Sequence, residues 1–370
     1  VLYAYSISIA YMVIVFISPI LSGIADYGNS KKQFLKLFTY FGSICCIALF
    51  FFTGDENFWF GLVCSVLAAI GFAGSLVFYN AYLPEIATEE HFDRVSAKGF
   101  AFGYIGSVLL LIINLLVIQF HEKLNIDQGL ATRLSFLSVG LWWMGFSQIT
   151  FRRLPKGGRL TVNKTYLSKG YRELRKVWLF IKHKANIKRF LLSFFFYSMG
   201  VQTVILLASS FAEKELLFET SELILLILIL QIVAIAGAYL FAWLSKKTTN
   251  KFSIFTMLGI WMSICVLAYF VQTSEQFYLL AVLVGMVMGG IQSISRSSYS
   301  KVIPEKTMDH ASYFSFYEVL EKLGIVIGTA SFGLIEHLSG GMRNSVLVLA
   351  CFFLLGMIFL RKVDIVDSHY

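Results

Sequence analysis

Eleven stretches of this chain are each long enough and apolar enough to cross a lipid bilayer. No other feature of the sequence restricts the fold as strongly. A spanning helix needs about 20 mainly apolar residues, because hydrocarbon offers no partner to an open backbone. The runs fall at 1–22, 34–52, 58–83, 99–120, 134–151, 190–212, 222–244, 253–271, 277–303, 312–335 and 344–360. None alternates as a transmembrane strand does, which excludes a membrane barrel. Of the 370 residues, 57% are hydrophobic and only 14% are charged, too few charges to coat soluble domains. The expected class is an all-α membrane protein.

The net charge of +9 raises the question of nucleic acid, and its placement answers it. Most Lys and Arg fall in the loops after spans one, three, five, seven and nine and in the C-terminal tail. The opposite loops hold only Lys123, Arg133, Lys214 and Arg343. Basic loops stay on the cytoplasmic side, so the C-terminus is expected there, in the cytoplasmic membrane if the source is bacterial. No zinc-finger spacing or RNA-binding aromatic motif accompanies the charge, so no nucleic-acid partner is expected. The lipid bilayer is the expected surrounding. The five cysteines all lie in apolar runs without C-x-x-C spacing, which argues against a metal site or disulfide framework.

The chain echoes itself. Tyr79-Asn80-Ala81-Tyr82-Leu83-Pro84-Glu85 ends span three, and Tyr299-Ser300-Lys301-Val302-Ile303-Pro304-Glu305 ends span nine. Each leads into a Phe-x-Phe, at Phe100 and Phe102 and at Phe314 and Phe316. Ser30-Lys31-Lys32 after span one matches Ser245-Lys246-Lys247 after span seven at nearly the same offset. Pro304 closes the fourth span after the long central loop, whereas Pro84 closes only the third of the chain. The repeat therefore predicts two six-helix bundles with the first helix missing. The halves are 1–151, with five helices, and 190–370, with six helices and a short tail. Between them lies a basic linker, 152–189, in which Tyr171, Leu174, Trp178 and Ile181 recur at helical spacing. Arg172, Arg175, Lys176 and Lys182 are expected on the other side, giving an amphipathic helix on the inner leaflet.

That plan resembles the major facilitator superfamily. Gly23-Ile24-Ala25-Asp26-Tyr27-Gly28-Asn29-Ser30-Lys31-Lys32 is similar to its loop signature between the second and third helices, although Asn29-Ser30 replaces the usual Gly-Arg. Two longer stretches narrow the resemblance: Phe78 to Ala87 followed by Asp93-Arg94-Val95-Ser96 and Gly99 to Gly106, and Gly289-Gly290-Ile291-Gln292-Ser293-Ile294-Ser295-Arg296-Ser297 followed by Ile303-Pro304-Glu305. They resemble the branch of vacuolar amino-acid effluxers linked to autophagy and their bacterial relatives. The resemblance implies a secondary transporter of small polar solutes, with amino acids as the suggested class. It works by alternating access, with proton-coupled efflux expected and no cofactor. A monomer is the expected state.

Asp26 sits at a helix C-terminal end, where the dipole disfavours a carboxylate. The resemblance makes Asp26, Gly28, Lys31 and Lys32 a cytoplasmic gate, with Arg94 as a candidate partner for Asp26. The alternative is a solvated turn with Gly28 supplying the bend. Within the spans the ionisable residues are Arg296, Glu318, Glu321 and Lys322, and a charge in hydrocarbon costs at least ~2.5 kcal/mol. Glu318 and Lys322 have i,i+4 spacing in the favourable order. Gln292 and Arg296 share that spacing, and with Asn80 and Asn114 they form the remaining candidate substrate or coupling groups. A guanidinium with amide neighbours suits a carboxylate, whereas interhelical hydrogen bonding is the bland alternative. No nucleophile-and-base constellation, H-E-x-x-H or Walker sequence appears, so no catalytic residue is expected. A membrane-embedded enzyme and a non-transporting sensor are the rival classes.

Overall fold

The computed structural model describes residues 2–158, 164–339 and 341–365, and within them every long element is an α-helix. The helices are α1 (Leu2–Tyr27), α2 (Lys31–Ala48), α3 (Phe58–Asn80), the single turn α4 (Leu83–Ile86), α5 (Phe92–Gln119) and α6 (Gln128–Arg153). They continue as α7 (Lys164–His183), α8 (Ala185–Leu216), α9 (Thr220–Lys247), α10 (Asn250–Phe270), α11 (Ser274–Val302), α12 (His310–Ser339) and α13 (Met342–Leu360). The middle of the linker (159–163) and the end of the C-terminal tail (366–370) lie outside the described residues.

Nine of these helices have the length and composition to cross a membrane. They are α1, α2, α3, α5, α8, α9, α10, α11 and α13. α6 and α12 are as long, at 26 and 30 residues, but α6 is more polar and α12 carries Glu318, Glu321 and Lys322 within it. Several helices run past the apolar runs that mark them in sequence; α5, for instance, begins at Phe92 rather than near residue 99. Hydropathy marks only the part that hydrocarbon can hold, whereas backbone hydrogen bonding continues through the polar turns beyond.

Local signals set the ends. The Asp127 side chain accepts from the Leu130 N–H at the start of α6. Reciprocal caps open α9 (Glu219 with Glu222) and α11 (Thr273 with Gln276), satisfying amides that have no partner inside the helix.

By its contacts the chain forms two compact units. The first comprises residues 1–82, 109–180 and 308–322, and the second 83–108, 181–307 and 323–370. In the first, α2 packs against α3 and α6, and α1 against α3. Gly42 and Gly71 meet where α2 crosses α3, so close that a Cβ at Gly71 would overlap the Gly42 backbone. Phe34 and Phe78 stack beside that crossing at 5.3 Å. In the second unit α9 packs along α11, and α13 lies against α8 and α10. Trp261 of α10 and Phe353 of α13, both fully buried, stack at 5.5 Å. α5 and α12 are divided between the units: the first part of α5 belongs with the C-terminal helices, and the first part of α12 belongs with the N-terminal ones.

Candidate functional site

α12 carries a buried cluster of charges. Glu318 is 1% exposed and Lys322 5%, and helical spacing puts both on one face with Glu321 beside them. The Lys322 ammonium donates to Glu321 Oε2 at 2.7 Å and lies 3.1 Å from Glu318 Oε2, an ion pair without hydrogen-bond geometry. Asn80, at the end of α3, donates to Glu318 Oε1 at 2.6 Å. The Tyr11 ring of α1 lies 5.8 Å from the ammonium. Buried charge is tolerated only when paired, and here two carboxylates share one ammonium. Ionised throughout, these three side chains carry a net charge of −1. A proton or a cationic group of a solute can interact with such a cluster.

The same half of α12 is held at its start by Asp26. The carboxylate accepts from the Ala311 N–H at 3.1 Å and from the Ser312 N–H at 2.7 Å. An anion at a helix N-terminus meets unpaired amides and the positive end of the dipole. Lys31, 3% exposed, lies within electrostatic reach of it. The charge compensating Asp26 thus comes from the α12 amides and Lys31, while Arg94 is exposed on α5. The bend after α1 is made by Asn29, at φ 48°, rather than by Gly28; asparagine tolerates the left-handed region better than most residues. Lys32 donates to the Leu154 carbonyl at 2.8 Å, tying the turn to the end of α6.

α7 braces this arrangement from outside. Gly23 and Gly170 come together so closely that a Cβ on either would strike the other's helix. Lys176 bridges to Asp309 at 3.0 Å, and Trp178 and Phe180 meet Phe316 and Tyr313 at 5.6 and 6.3 Å. The face turned inward consists of Gly170, Val177 and Ile181. Of the sequence stripe expected on the inner leaflet, Tyr171 and Trp178 are exposed, at 61% and 52%, whereas Ile181 is buried. The 3.6-residue period fits two stripes on this helix, and the tighter contact formed through glycine decides between them.

The second unit holds the other candidates. Arg296, 5% exposed, donates from Nε to Ser96 Oγ at 3.0 Å and from a terminal nitrogen to the Ser96 carbonyl at 2.9 Å. Its guanidinium lies over the Phe100 ring at 4.5 Å. Gln292 accepts from the Tyr104 hydroxyl at 2.5 Å. One turn before Ser96, Asp93 pairs with Lys301 at 2.9 Å and accepts from Asn250 Nδ2 at 2.7 Å. Asp93, Ser96, Phe100 and Tyr104 therefore form one face of α5 fastened along α11. Sequence reasoning missed Asp93, Lys301, Asn250 and Tyr104, because a charge near the end of a span reads as solvated. The available signal was the repeat, since Lys301 falls just beyond the position that echoes Asn80. Asn114, in the first unit, accepts from Ser138 Oγ at 2.8 Å and joins neither cluster.

Comparisons with known proteins agree with this architecture. A family model described as "Vacuole effluxer Atg22 like" matches residues 1–369. A Bacillus subtilis MFS-type transporter, YxiO, is 31% identical over 97% of this chain and 83% of its own length. Autophagy-related protein 22-1 of Aspergillus niger is 24% identical over 98% of this chain and 72% of its own. Among solved structures, the E. coli fucose:proton symporter FucP superposes with a TM-score of 0.71 at 17% identity, over 97% of this chain and 90% of that one. A bacterial homologue of the iron transporter ferroportin gives 0.68 at 14%, over 97% and 89%. At such identities the structural likeness shows the fold.

Proposed function

The chain belongs to the Atg22-like family of major facilitator superfamily transporters, and we propose that it exports small polar solutes, amino acids among them, by proton-coupled alternating access. The observation that carries this reading is the buried Glu318–Lys322 pair with the half-buried Glu321 beside it. The ammonium is suited to a solute carboxylate and the carboxylates to a proton or a solute amine. The family description, which speaks of a vacuole effluxer, gives support by name.

Two sets of contacts act as the gate. Asp26 holds the start of α12, and Asp93 with Ser96 and Arg296 holds the start of α5. Each helix is fastened to partners from the opposite half of the sequence, so each set must break for its helix to move. With α6 and α12 counted beside the nine apolar helices, the described residues give eleven spans, which we assign to halves 1–151 and 190–370. The basic loops put the gate and the C-terminus on the cytoplasmic side.

Reconstitution of the full-length protein in proteoliposomes tests the function. Labelled amino acids should exchange across the membrane, and an imposed pH gradient should drive net movement. Exchange that ignores the gradient would remove the proton from the mechanism. Absence of exchange for the whole amino-acid panel would remove the substrate class.

A further inference from the structure

We infer that the outer face of α7 is a binding surface for anionic phospholipid headgroups, and that lipid bound there braces the start of α12. Tyr171, Arg172, Arg175, Trp178 and Leu179 fall within about a third of a helical turn of one another. All five are exposed, the three apolar ones at 61%, 52% and 43%. Exposed Tyr and Trp beside Arg is the composition that settles at a membrane–water boundary, where the rings enter the headgroup layer. Neither Arg172 nor Arg175 has a hydrogen-bond or ion-pair partner among the described residues. The only acid on this stretch, Glu173, is engaged by Lys176 at 3.2 Å. The face therefore carries two uncompensated guanidinium groups and no opposing carboxylate, and the phosphate of an anionic lipid matches that charge and geometry.

The inward side of the same helix connects this surface to the gate. Gly170 lies on the α1 backbone at Gly23 and Ile24, two residues before Asp26. Lys176 holds Asp309, and Phe180 and Trp178 touch Tyr313 and Phe316 in the first turns of α12. Trp178 belongs to both sides, because one edge of its ring meets Phe316 while half of its surface is free. Headgroups that fix α7 would thus also fix the segment to which Asp26 is bonded. Only the consequence for transport rests on the gate proposed above; the surface and its bracing do not.

Hydrogen-exchange mass spectrometry on the full-length protein tests this without a transport assay. Exchange is followed in nanodiscs of phosphatidylcholine and in nanodiscs with an equal share of phosphatidylglycerol. Amides of α7 and of residues 310–317 should exchange more slowly in the anionic discs, by roughly fivefold for each arginine engaged. The variant Arg172→Gln/Arg175→Gln, which alters exposed groups only, should exchange alike in both. Equal exchange of the native protein in the two lipids overturns the surface, and leaves an acidic protein partner as the occupant. Protection confined to α7 overturns the bracing. Failure of the gate itself would appear separately, as Asp26→Asn transporting at the native rate.

Discussion

Asn80 and Glu318 are separated by 238 positions in the chain and by 2.6 Å in the fold. The bond joins the last residue of α3 to the middle of the first-unit part of α12, so the same carboxylate serves the charge cluster and fastens the helix. A change of charge on Glu318 therefore acts on an interhelical contact, which is the coupling a gated carrier requires.

Replacing Lys322 tests the cluster. Lys322→Ala leaves two carboxylates together in a buried place, where an uncompensated charge costs about 3–5 kcal/mol. Transport should fall by about 10-fold or more while the protein still inserts. Lys322→Arg should restore part of it, because a planar fork does not reproduce a compact ammonium. Native flux in Lys322→Ala, measured per inserted molecule, would make Lys322 a structural residue.

Asp26→Asn keeps the shape and removes the charge facing the α12 amides. Favourable charge at a helix terminus contributes about 0.3–1 kcal/mol, more when partly buried. Exchange of the Ala311 and Ser312 amides should accelerate about threefold to tenfold, and flux should change with it. Lys32→Ala, which loses only the tie to Leu154, should have the smaller effect.

The Asp93–Lys301 pair is buried, with side-chain exposures of 9% and 1%. Asp93→Asn removes a counter-charge from the buried ammonium, which keeps its bond to Asn250 Oδ1, and should lower the unfolding temperature by about 5 °C or more, from a loss of several kcal/mol. Adding Lys301→Met to it replaces the uncompensated charge with an apolar side chain and should recover at least half of the loss. A double variant as unstable as the single one would show that Asp93 acts through other neighbours.

His310 precedes the proposed span 312–335 and is 7% exposed. Burial pushes its pKa down to about 4; the Lys31 charge adds to that, and Asp309 opposes it. The unfolded chain takes its proton near pH 6.5 and the folded one only near 4, so this group contributes stability above 6.5 that is lost as pH falls to 4. Asp26, Lys31, Lys176 and Asp309 surround the same helix start. The His310 share is therefore read as the difference between the native protein and His310→Asn, whose stability should fall less between pH 7 and pH 4. Parallel pH profiles for the two would contradict the assignment.

The helical plan was legible because hydrocarbon permits so few spanning structures, and Glu318 with Lys322 because buried charge stands out in an apolar run. Other features were settled by tertiary contacts that have no local signature. The inward face of α7 depends on Gly23 lying opposite Gly170, almost the length of the first half away. The left-handed residue after α1 could have been Gly28 or Asn29 on composition alone. The partner of Asp26 is a pair of backbone amides, which no side-chain search could find. Lys301 looked like a topological charge because its partner Asp93, in the first turn of α5, comes from the other half of the repeat.

The ownership of α12 changes between Lys322 and Leu323. From Ser312 to Lys322 the helix behaves as a stiff rod about 15 Å long. One end is gripped through its amides by Asp26, and the other carries the charges. On the proposed mechanism, a proton or solute that displaced Lys322 would not need to pass a signal from side chain to side chain, because the rod would deliver the displacement to its far end in one motion. Timing would then be set by the weaker of the two grips. A mutation anywhere on the shaft that softens it, a glycine at Val319 for example, would uncouple loading from opening while leaving both grips chemically intact.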